Sequence, residues 1–261
     1  MEQNKLGQTG IDVSVLGLGT VKFGRNEQVK YPQSFTLPND QQIETLLDQA
    51  RELGINLLDT APAYGTSEIR LGQLLTDRKD WIMVSKVGEQ FNNGTSIFDY
   101  SEKTILDTIH QSLKNVKTDY LDVVLLHSNG KDMHIIQNTA GLETLDRLKQ
   151  QGLIRAYGMS TKTTEGGLWT LSHCDVVMAT RNRVDTHDQP VLEQALRLNK
   201  GVLIKKGLNS GHAAKSAGGA GIADAIRYVL GHPAVDSLIL GTINPEHLAE
   251  NACIVNNCDK I

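Results

Sequence analysis

Short apolar runs alternate with longer amphipathic segments along the whole chain, and this alternation predicts a repeated strand–helix unit. The short runs are almost continuously apolar, as expected of strands buried on both faces of a parallel sheet. We predict eight such strands: Val13–Leu18, Ile55–Asp59, Trp81–Lys86, Leu121–His127, Ile154–Met159, Asp175–Ala179, Val202–Lys205 and Ser237–Leu240.

The longer segments carry apolar residues at helical spacing. Gln41–Leu53 is the clearest, with one apolar face and Gly54 following as a helix stop. The other predicted helices are Ser67–Leu75, Ser101–Asn115, Thr139–Gln150, Lys162–Leu171, Pro190–Leu198, Ile222–Leu230 and Pro245–Asn256. Gly166 and Gly167 make Lys162–Leu171 the weakest of them, whereas Asn244 before Pro245 is a typical helix start.

Eight strand–helix units favour a closed (β/α)8 barrel of the TIM type over an open doubly wound sheet. A length of 261 residues suits one such barrel, so we predict a single domain over residues 1–261. The segment Lys5–Ile11, with its turn at Thr9 and Gly10, is predicted to form a hairpin that closes the barrel floor. Asn209–Gly221 is predicted to be a mobile loop.

Composition narrows the class of protein. Hydrophobic residues make up 39% and charged residues 21%, as in ordinary globular domains. A net charge of −4 gives no basic field for a polyanion, so nucleic acid is not expected as a partner. The first ten residues lack an apolar signal core and no run is long enough for a membrane span, which predicts a cytoplasmic protein. The three cysteines fit no zinc spacing and are expected to be buried or idle thiols in a reducing cytosol: Cys174, Cys253 and Cys258.

Ionisable residues end three of the predicted strands, namely Asp59, Lys86 and His127, and Tyr64 follows Asp59 by five positions. Each has an ordinary alternative: a turn cap, a solvated lysine, a rim histidine and a packing aromatic. In a βα barrel, however, the carboxyl ends of all strands meet at one rim. The convergence of all four residues on that rim favours a site.

These residue types suit carbonyl reduction. Hydride transfer to a carbonyl carbon builds negative charge on the oxygen, so a nearby proton donor lowers the barrier. A tyrosine has a pKa of about 10, which an adjacent ammonium lowers. A carboxylate keeps that ammonium charged and aimed, and a histidine can orient the carbonyl oxygen or share the proton.

With these residues in place, the chain resembles the aldo-keto reductase superfamily. The resemblance extends in order over nearly the whole length, through LGQTGIDVSVLGLGTVKFG, LLDTAPAYGTSEIRLGQLL, SKVG, LDVVLLHS, GLIRAYGMS and LILGTINPEHLAEN. It implies that Asp59, Tyr64, Lys86 and His127 are the catalytic residues, with Tyr64 the proton donor. It also implies a small-molecule carbonyl substrate and a nicotinamide cofactor, NADP in first place and NAD as the alternative.

The resemblance places the cofactor across the rim, where the dipole and free N–H groups of the helix after Asn244 suit a phosphate. The cofactor-binding residues it implies are Gly19, Thr20, Asp59, Ser160, Thr161, Met178, Lys205, Lys206, Gly241, Thr242, Asn244, His247, Glu250 and Asn251. Gly17 and Gly19 do not form a dinucleotide-binding fingerprint, because the third glycine of that motif is missing and no helix is predicted to open directly after them. They are predicted to let the chain turn at the end of the first strand.

The sequence departs from common family members where the nicotinamide is held. Thr161, Met178 and Lys205 stand where those members have Asn, Gln and a stacking Tyr. Lys205 or Lys206 then contacts a cofactor phosphate or an acidic substrate group, or is simply solvated. Many members bind the 2′-phosphate of NADP with an arginine, but here His247 stands at one of the equivalent positions and no arginine does. NAD therefore remains possible as the cofactor.

Two other functions remain as alternatives. The first is a cofactor-binding regulatory protein on the same barrel, with little or no turnover. The second is a metal-dependent barrel hydrolase, which the scattered histidines disfavour because such a site needs several ligands converging on one ion. The sequence carries no signal for an oligomeric state.

Overall fold

A computed structural model describes residues 1–29, 31, 33–211 and 219–256. Within these residues, eight parallel strands close into a barrel whose order around the ring follows the chain. The strands are β1 Gln3–Lys5, β2 Asp12–Ser14, β3 Leu16–Gly19, β4 Leu57–Asp59, β5 Ile82–Val87, β6 Glu89–Asn92, β7 Thr95–Phe98, β8 Leu121–His127, β9 Ile154–Ser160, β10 Val176–Thr180, β11 Gly201–Lys205 and β12 Ser237–Leu240. The barrel consists of β3, β4, β5 and β8 to β12, which confirms the predicted (β/α)8 fold.

Helices surround the barrel and bury one face each against the strands. Their bounds are Val21–Gly24, Asp40–Glu52, Ser67–Leu74, Glu102–Val116, Asp132–Asn138, Gly141–Gln150, Thr164–His173, Gln189–Leu198, Gly219–Leu230 and Pro245–Asn256. Short 3₁₀ turns lie at Pro62–Tyr64, Arg78–Asp80 and Asn209–Gly211. None of the described helices is both long enough and apolar enough to cross a bilayer.

The predicted hairpin at the barrel floor is confirmed. β1 and β2 pair antiparallel, and Leu6 and Ile11 between them are buried in the same cluster as the residues inside the barrel. The predicted strand Val13–Leu18 was wrong in one respect, because it divides into β2 and β3. Ser14 bonds to Asn56 through both its backbone N–H and its hydroxyl, which takes the chain out of the hairpin and into the barrel.

The segment predicted as the weakest helix forms a complete helix, Thr164–His173. A Cβ on Gly166 would lie 2.4 Å from Cβ of Asp132, and one on Gly167 would lie 2.6 Å from Cγ2 of Val191. The two glycines therefore serve close packing between helices and do not break the helix. In the predicted loop Asn209–Gly221, residues 212–218 lie outside the described part of the chain, and Gly219 already belongs to a helix.

Strand alternation determines which side chains face the barrel mouth. Leu57, Val84, Leu125, Met178 and Leu203 all lie in the interior cluster. Because side chains two residues apart on a strand share a face, the next inward position of each strand lies at the carboxyl end. The resulting ring around the mouth is Gly19, Asp59, Lys86, His127, Ser160, Thr180, Lys205 and Gly241.

Gly17 and Gly19 lie within β3 and not in a turn as predicted. A Cβ on Gly17 would lie 2.3 Å from Cδ2 of Leu57 and 2.6 Å from Cδ1 of Ile239, so the barrel interior has no room for a side chain there. The glycine at position 19 continues this narrow face up to the mouth, where it leaves space beside Asp59.

Candidate active site

Lys86 and Asp59 form a buried ion pair at the ends of neighbouring strands. Lys86 Nζ donates hydrogen bonds to Asp59 Oδ1 at 2.5 Å and to the carbonyl oxygen of Thr60 at 2.9 Å. Lys86 is only 2% exposed, so it does not reach solvent. Burial lowers the pKa of Lys86, but Asp59 and Tyr64 outweigh burial and raise it above its ordinary value. The ammonium is therefore charged at neutral pH.

Tyr64 lies on the 3₁₀ turn that follows β4, with Lys86 Nζ 4.7 Å from the centroid of its ring. Gly65, at φ +63°, packs directly against Gly24. A Cβ on Gly65 would collide with the backbone of Gly24, and a Cβ on Gly24 would collide with the backbone of the loop that carries Tyr64. Burial raises the pKa of Tyr64, while Lys86 lowers it and Asp59 raises it. Lys86 thus acts in the expected direction, but the expected net lowering was wrong because burial outweighs it. The phenol is protonated at neutral pH.

His127 ends β8 and faces Tyr64, with ring centroids 6.5 Å apart and planes at 83°. Its Nδ1 lies 2.7 Å from Oε2 of Glu89, although that oxygen is off the direction of the N–H bond. Tyr100 Oη donates to the carbonyl oxygen of His127 at 2.9 Å. Burial lowers the pKa of His127; Glu89 opposes this and Lys86 adds to it. The imidazole is therefore neutral at neutral pH.

Glu89 is a site residue that the sequence analysis missed. It begins β6, and its Oε1 accepts a hydrogen bond from Ser96 Oγ at 2.6 Å. Arg25 Nη1 lies 3.8 Å from the same oxygen. Although burial opposes ionisation, the contacts with His127, Ser96 and Arg25 lower the pKa of Glu89 to about 2. Its one sequence signal was an acidic residue three positions after Lys86, directly behind the SKVG motif.

The opposite side of the mouth is formed by β9, β10 and β11. Lys205 Nζ donates to Ser160 Oγ at 2.8 Å and to the carbonyl oxygen of Thr161 at 2.6 Å. Thr161 Oγ1 is buried and finds no hydrogen-bond partner among the residues that the structure describes. Met178 is 2% exposed and packs one layer below the mouth, so the inward residue at the end of its strand is Thr180, which the sequence analysis did not name.

Two further predicted residues lie away from the mouth. Lys206 is exposed, and its backbone carbonyl accepts from Asn182 Nδ2 at 3.1 Å. Thr20 is fully buried, and its hydroxyl donates to the carbonyl oxygen of Asp59 at 3.0 Å. Thr20 therefore supports the loop that carries the ion pair.

The segment after β12 carries the predicted helix start. Asn244 Oδ1 accepts from the backbone N–H of Glu246 at 2.8 Å, which confirms the cap. Of the residues implied for a phosphate end, His247 and Glu250 are exposed and Asn251 is buried. A Cβ on Gly241 would lie 2.6 Å from Oη of Tyr31, so this glycine lets the loop after β3 approach the mouth.

Comparison with known proteins decides the family. The model of the Aldo/keto reductase family matches residues 15–178. The chain belongs to the aldo/keto reductase family. A Pseudomonas aeruginosa crystal structure, described as that of a candidate aldo-keto reductase, is 45% identical with a TM-score of 0.90, over 99% of this chain and 96% of the other.

Two curated relatives are oxidoreductases. An uncharacterized oxidoreductase of Bacillus subtilis is 33% identical over 166 residues, which cover 62% of this chain and 49% of that protein. The NADH-specific methylglyoxal reductase of Escherichia coli is 30% identical over 174 residues, covering 60% and 51%. The matched segments thus span about half the length of these two relatives. Membership of this family supports an oxidoreductase function with a nicotinamide cofactor.

The mouth of this aldo/keto reductase fits such a cofactor. Within the described part of the chain, Thr161 Oγ1 is a buried polar atom without a hydrogen-bond partner, and the Lys205 amine lies on the same side. Glycines 19 and 241 lie side by side at the rim between β3 and β12, where a Cβ on Gly19 would lie 3.7 Å from Cα of Gly241, so neither residue puts a side chain across the rim. The helix that begins at Pro245 presents its amino end beside them, which suits a phosphate.

Proposed function

We propose that this protein reduces an aldehyde or ketone group of a small molecule to an alcohol, or runs the reverse reaction, with NADPH as the preferred cofactor. One observation carries the proposal: the Tyr64 ring lies against Lys86 of the Lys86–Asp59 pair and faces His127 at the barrel mouth. This arrangement provides an acid, a charge that stabilises its conjugate base, and a second proton-binding group around one carbonyl oxygen.

The chain's own residues handle the proton. Tyr64 donates its hydrogen to the carbonyl oxygen as negative charge develops there, and the Lys86 ammonium stabilises the phenolate that remains. Asp59 keeps Lys86 charged and in place. When bound, the reduced nicotinamide supplies the hydride, which carries both electrons to the carbonyl carbon. The products are the alcohol, the oxidised cofactor and a Tyr64 phenolate that must regain a proton.

His127 is proposed to return that proton. A carboxylate 2.7 Å from Nδ1 favours a hydrogen on that nitrogen, which leaves Nε2 as an acceptor. In this state Nε2 takes up a proton from solvent and passes it to the Tyr64 phenolate, so that the imidazole ends neutral again. Of the two roles that sequence analysis left open, orienting the carbonyl or sharing the proton, Glu89 favours the second.

The proposed preference for NADPH rests on the resemblance of the segment with Gly241 and Thr242 to family branches in which arginine is not obligatory for NADP. Gly241, Thr242 and His247 provide no arginine clamp, yet the helix amino end accepts either cofactor's pyrophosphate. The NADH-specific relative from E. coli supports NADH as the alternative. We further propose one barrel domain over residues 1–261 in the cytoplasm, where the buried thiol of Cys174 would stay reduced. Cys258 lies outside the described residues.

Cofactor oxidation tests the proposal. The protein is mixed with NADPH or NADH and a panel of aldehydes, dicarbonyls and sugars, and the loss of reduced cofactor is followed by absorbance. We expect turnover with at least one carbonyl and faster turnover with NADPH. Clear binding of both cofactors without oxidation on any substrate would contradict the proposal and support the regulatory alternative.

A further inference from the structure

Lys205 is a cation at the mouth that the proposed proton transfer does not use. It ends β11 and points inward, because Leu203 two residues earlier lies in the barrel interior. Its two hydrogen bonds, to Ser160 and to the carbonyl of Thr161, are both to neutral groups. An ammonium has three N–H donors, so one remains beyond these two.

The nearest carboxylates are engaged elsewhere. Asp132 Oδ2 accepts from the backbone N–H groups of Lys162 and Thr163, each at 2.8 Å. Asp188 Oδ2 accepts from the backbone N–H of Thr180 at 2.8 Å. Among the described residues, neither forms an ion pair with Lys205, so its charge is felt across the mouth. Lys86 differs, because Asp59 compensates its charge directly.

Hydride transfer requires the nicotinamide ring to lie in the barrel mouth, close to Lys205. Tyr64 and His127 hold the carbonyl oxygen on one side of the mouth. The hydride donor must lie about 3–3.5 Å from the carbonyl carbon, so its ring also lies in the mouth. The inward residues left on the other side are Ser160, Thr180 and Lys205, of which Lys205 alone carries a charge in that part of the ring.

We propose that the charge of Lys205 makes the enzyme bind the reduced cofactor more tightly than the oxidised cofactor, which loads the enzyme for carbonyl reduction and speeds release of the oxidised cofactor. This inference rests on the proposed function. The oxidised nicotinamide ring is a cation and the reduced ring is neutral. An ammonium without a carboxylate partner repels the oxidised ring and leaves the reduced ring unaffected. It therefore raises the ratio of the dissociation constant of the oxidised cofactor to that of the reduced cofactor.

The bias is expected to depend on pH near neutrality. Burial, followed by the charge of Lys206, lowers the pKa of Lys205 to about 7. The charged or titratable groups that act on it from the surrounding elements are Lys206, Asp188, Asp132, Lys162 and His127. Because a lysine loses its charge as pH rises through its pKa, the ratio should fall between about pH 6 and pH 8.

Binding measurements without substrate test this. The dissociation constants of NADPH and NADP⁺ are measured by fluorescence and calorimetry for the wild type, Lys205→Met, Lys205→Gln and Lys200→Met. Lys200 lies just before the start of β11, at the opposite end of the barrel, where its Nζ donates to the carbonyl of Cys174 at 2.7 Å. Lys205→Gln retains hydrogen-bond donors without the charge. A thermal melt of each variant checks that it is folded.

We expect both Lys205 variants to lower the ratio about tenfold, equivalent to about 1.4 kcal/mol, and to remove its pH dependence. Lys200→Met should keep the wild-type ratio and its pH dependence. A ratio unchanged in folded Lys205→Gln would overturn the role of Lys205 while leaving the reductase proposal intact. Failure of the wild type to bind either cofactor form would overturn both.

Discussion

Replacing Tyr64 with Phe is expected to lower the rate of carbonyl reduction by roughly 10²–10⁴-fold, the contribution of a well-placed general acid. The change removes one hydroxyl from the group that faces His127 and lies over Lys86, and it leaves the ring in place. Affinity for the reduced cofactor should change little, since the lost hydrogen bond forms with the substrate oxygen. Steady-state rates and cofactor titrations measure the two effects separately.

Tyr157→Phe is the matched control. Tyr157 lies on β9 with its side chain on the outer face of the barrel, and the centroid of its ring is 5.7 Å from Lys149 Nζ. The substitution therefore also removes a phenol hydroxyl, but one far from the mouth. We expect near wild-type turnover in this variant. Equal turnover in Tyr64→Phe and Tyr157→Phe would rule out Tyr64 as the proton donor.

Replacing Lys86 with Met is the second large effect, and it should reduce both turnover and stability. Without the ammonium, nothing offsets the burial that raises the pKa of Tyr64, so the phenolate left by proton transfer is disfavoured. Asp59 is left as a buried charge without its partner, which typically costs about 3–5 kcal/mol of the free energy of unfolding. Denaturant titration and the pH dependence of the rate are the measurements.

The double variant Asp59→Asn/Lys86→Met separates chemistry from folding. Removing both charges eliminates the uncompensated carboxylate, so most of the lost stability should return. Turnover should stay low, because the phenolate still lacks its cation. Recovery of turnover together with stability would mean that the pair is structural and that Lys86 does not act on Tyr64.

Much of the fold followed from the sequence because burial on both faces of the strands produces continuous apolar runs. All eight barrel strands were predicted, and strand ends such as Asp59 and His127 were placed correctly. The hairpin of β6 and β7 was missed because it lies outside the barrel and alternates between half-exposed and exposed positions. Its two strands have four residues each and mix polar with apolar side chains, which is too short for a periodic signal, so Glu89 was missed with them.

The pKa values and side-chain contacts of the site were harder to predict than the residues that form it. Sequence spacing brought Tyr64 and Lys86 together, but the sign of the net pKa shift of Tyr64 depends on how deeply the phenol is buried. That depth is set by close packing of Gly24 and Gly65, which no periodicity reveals. The contact between Lys205 and Ser160 likewise depends on β9 and β11, two barrel strands on either side of β10, and the two residues are 45 positions apart in the chain.

Transfer of an isotopic label tests the central claim most directly. The protein is incubated with a carbonyl substrate and NADPH that carries deuterium at the reactive carbon of the nicotinamide, each face being labelled in turn. The account predicts one deuterium on the carbinol carbon of the product from one labelled face and none from the other, as seen by mass spectrometry. An alcohol product without deuterium from either face would contradict direct hydride transfer at the barrel mouth.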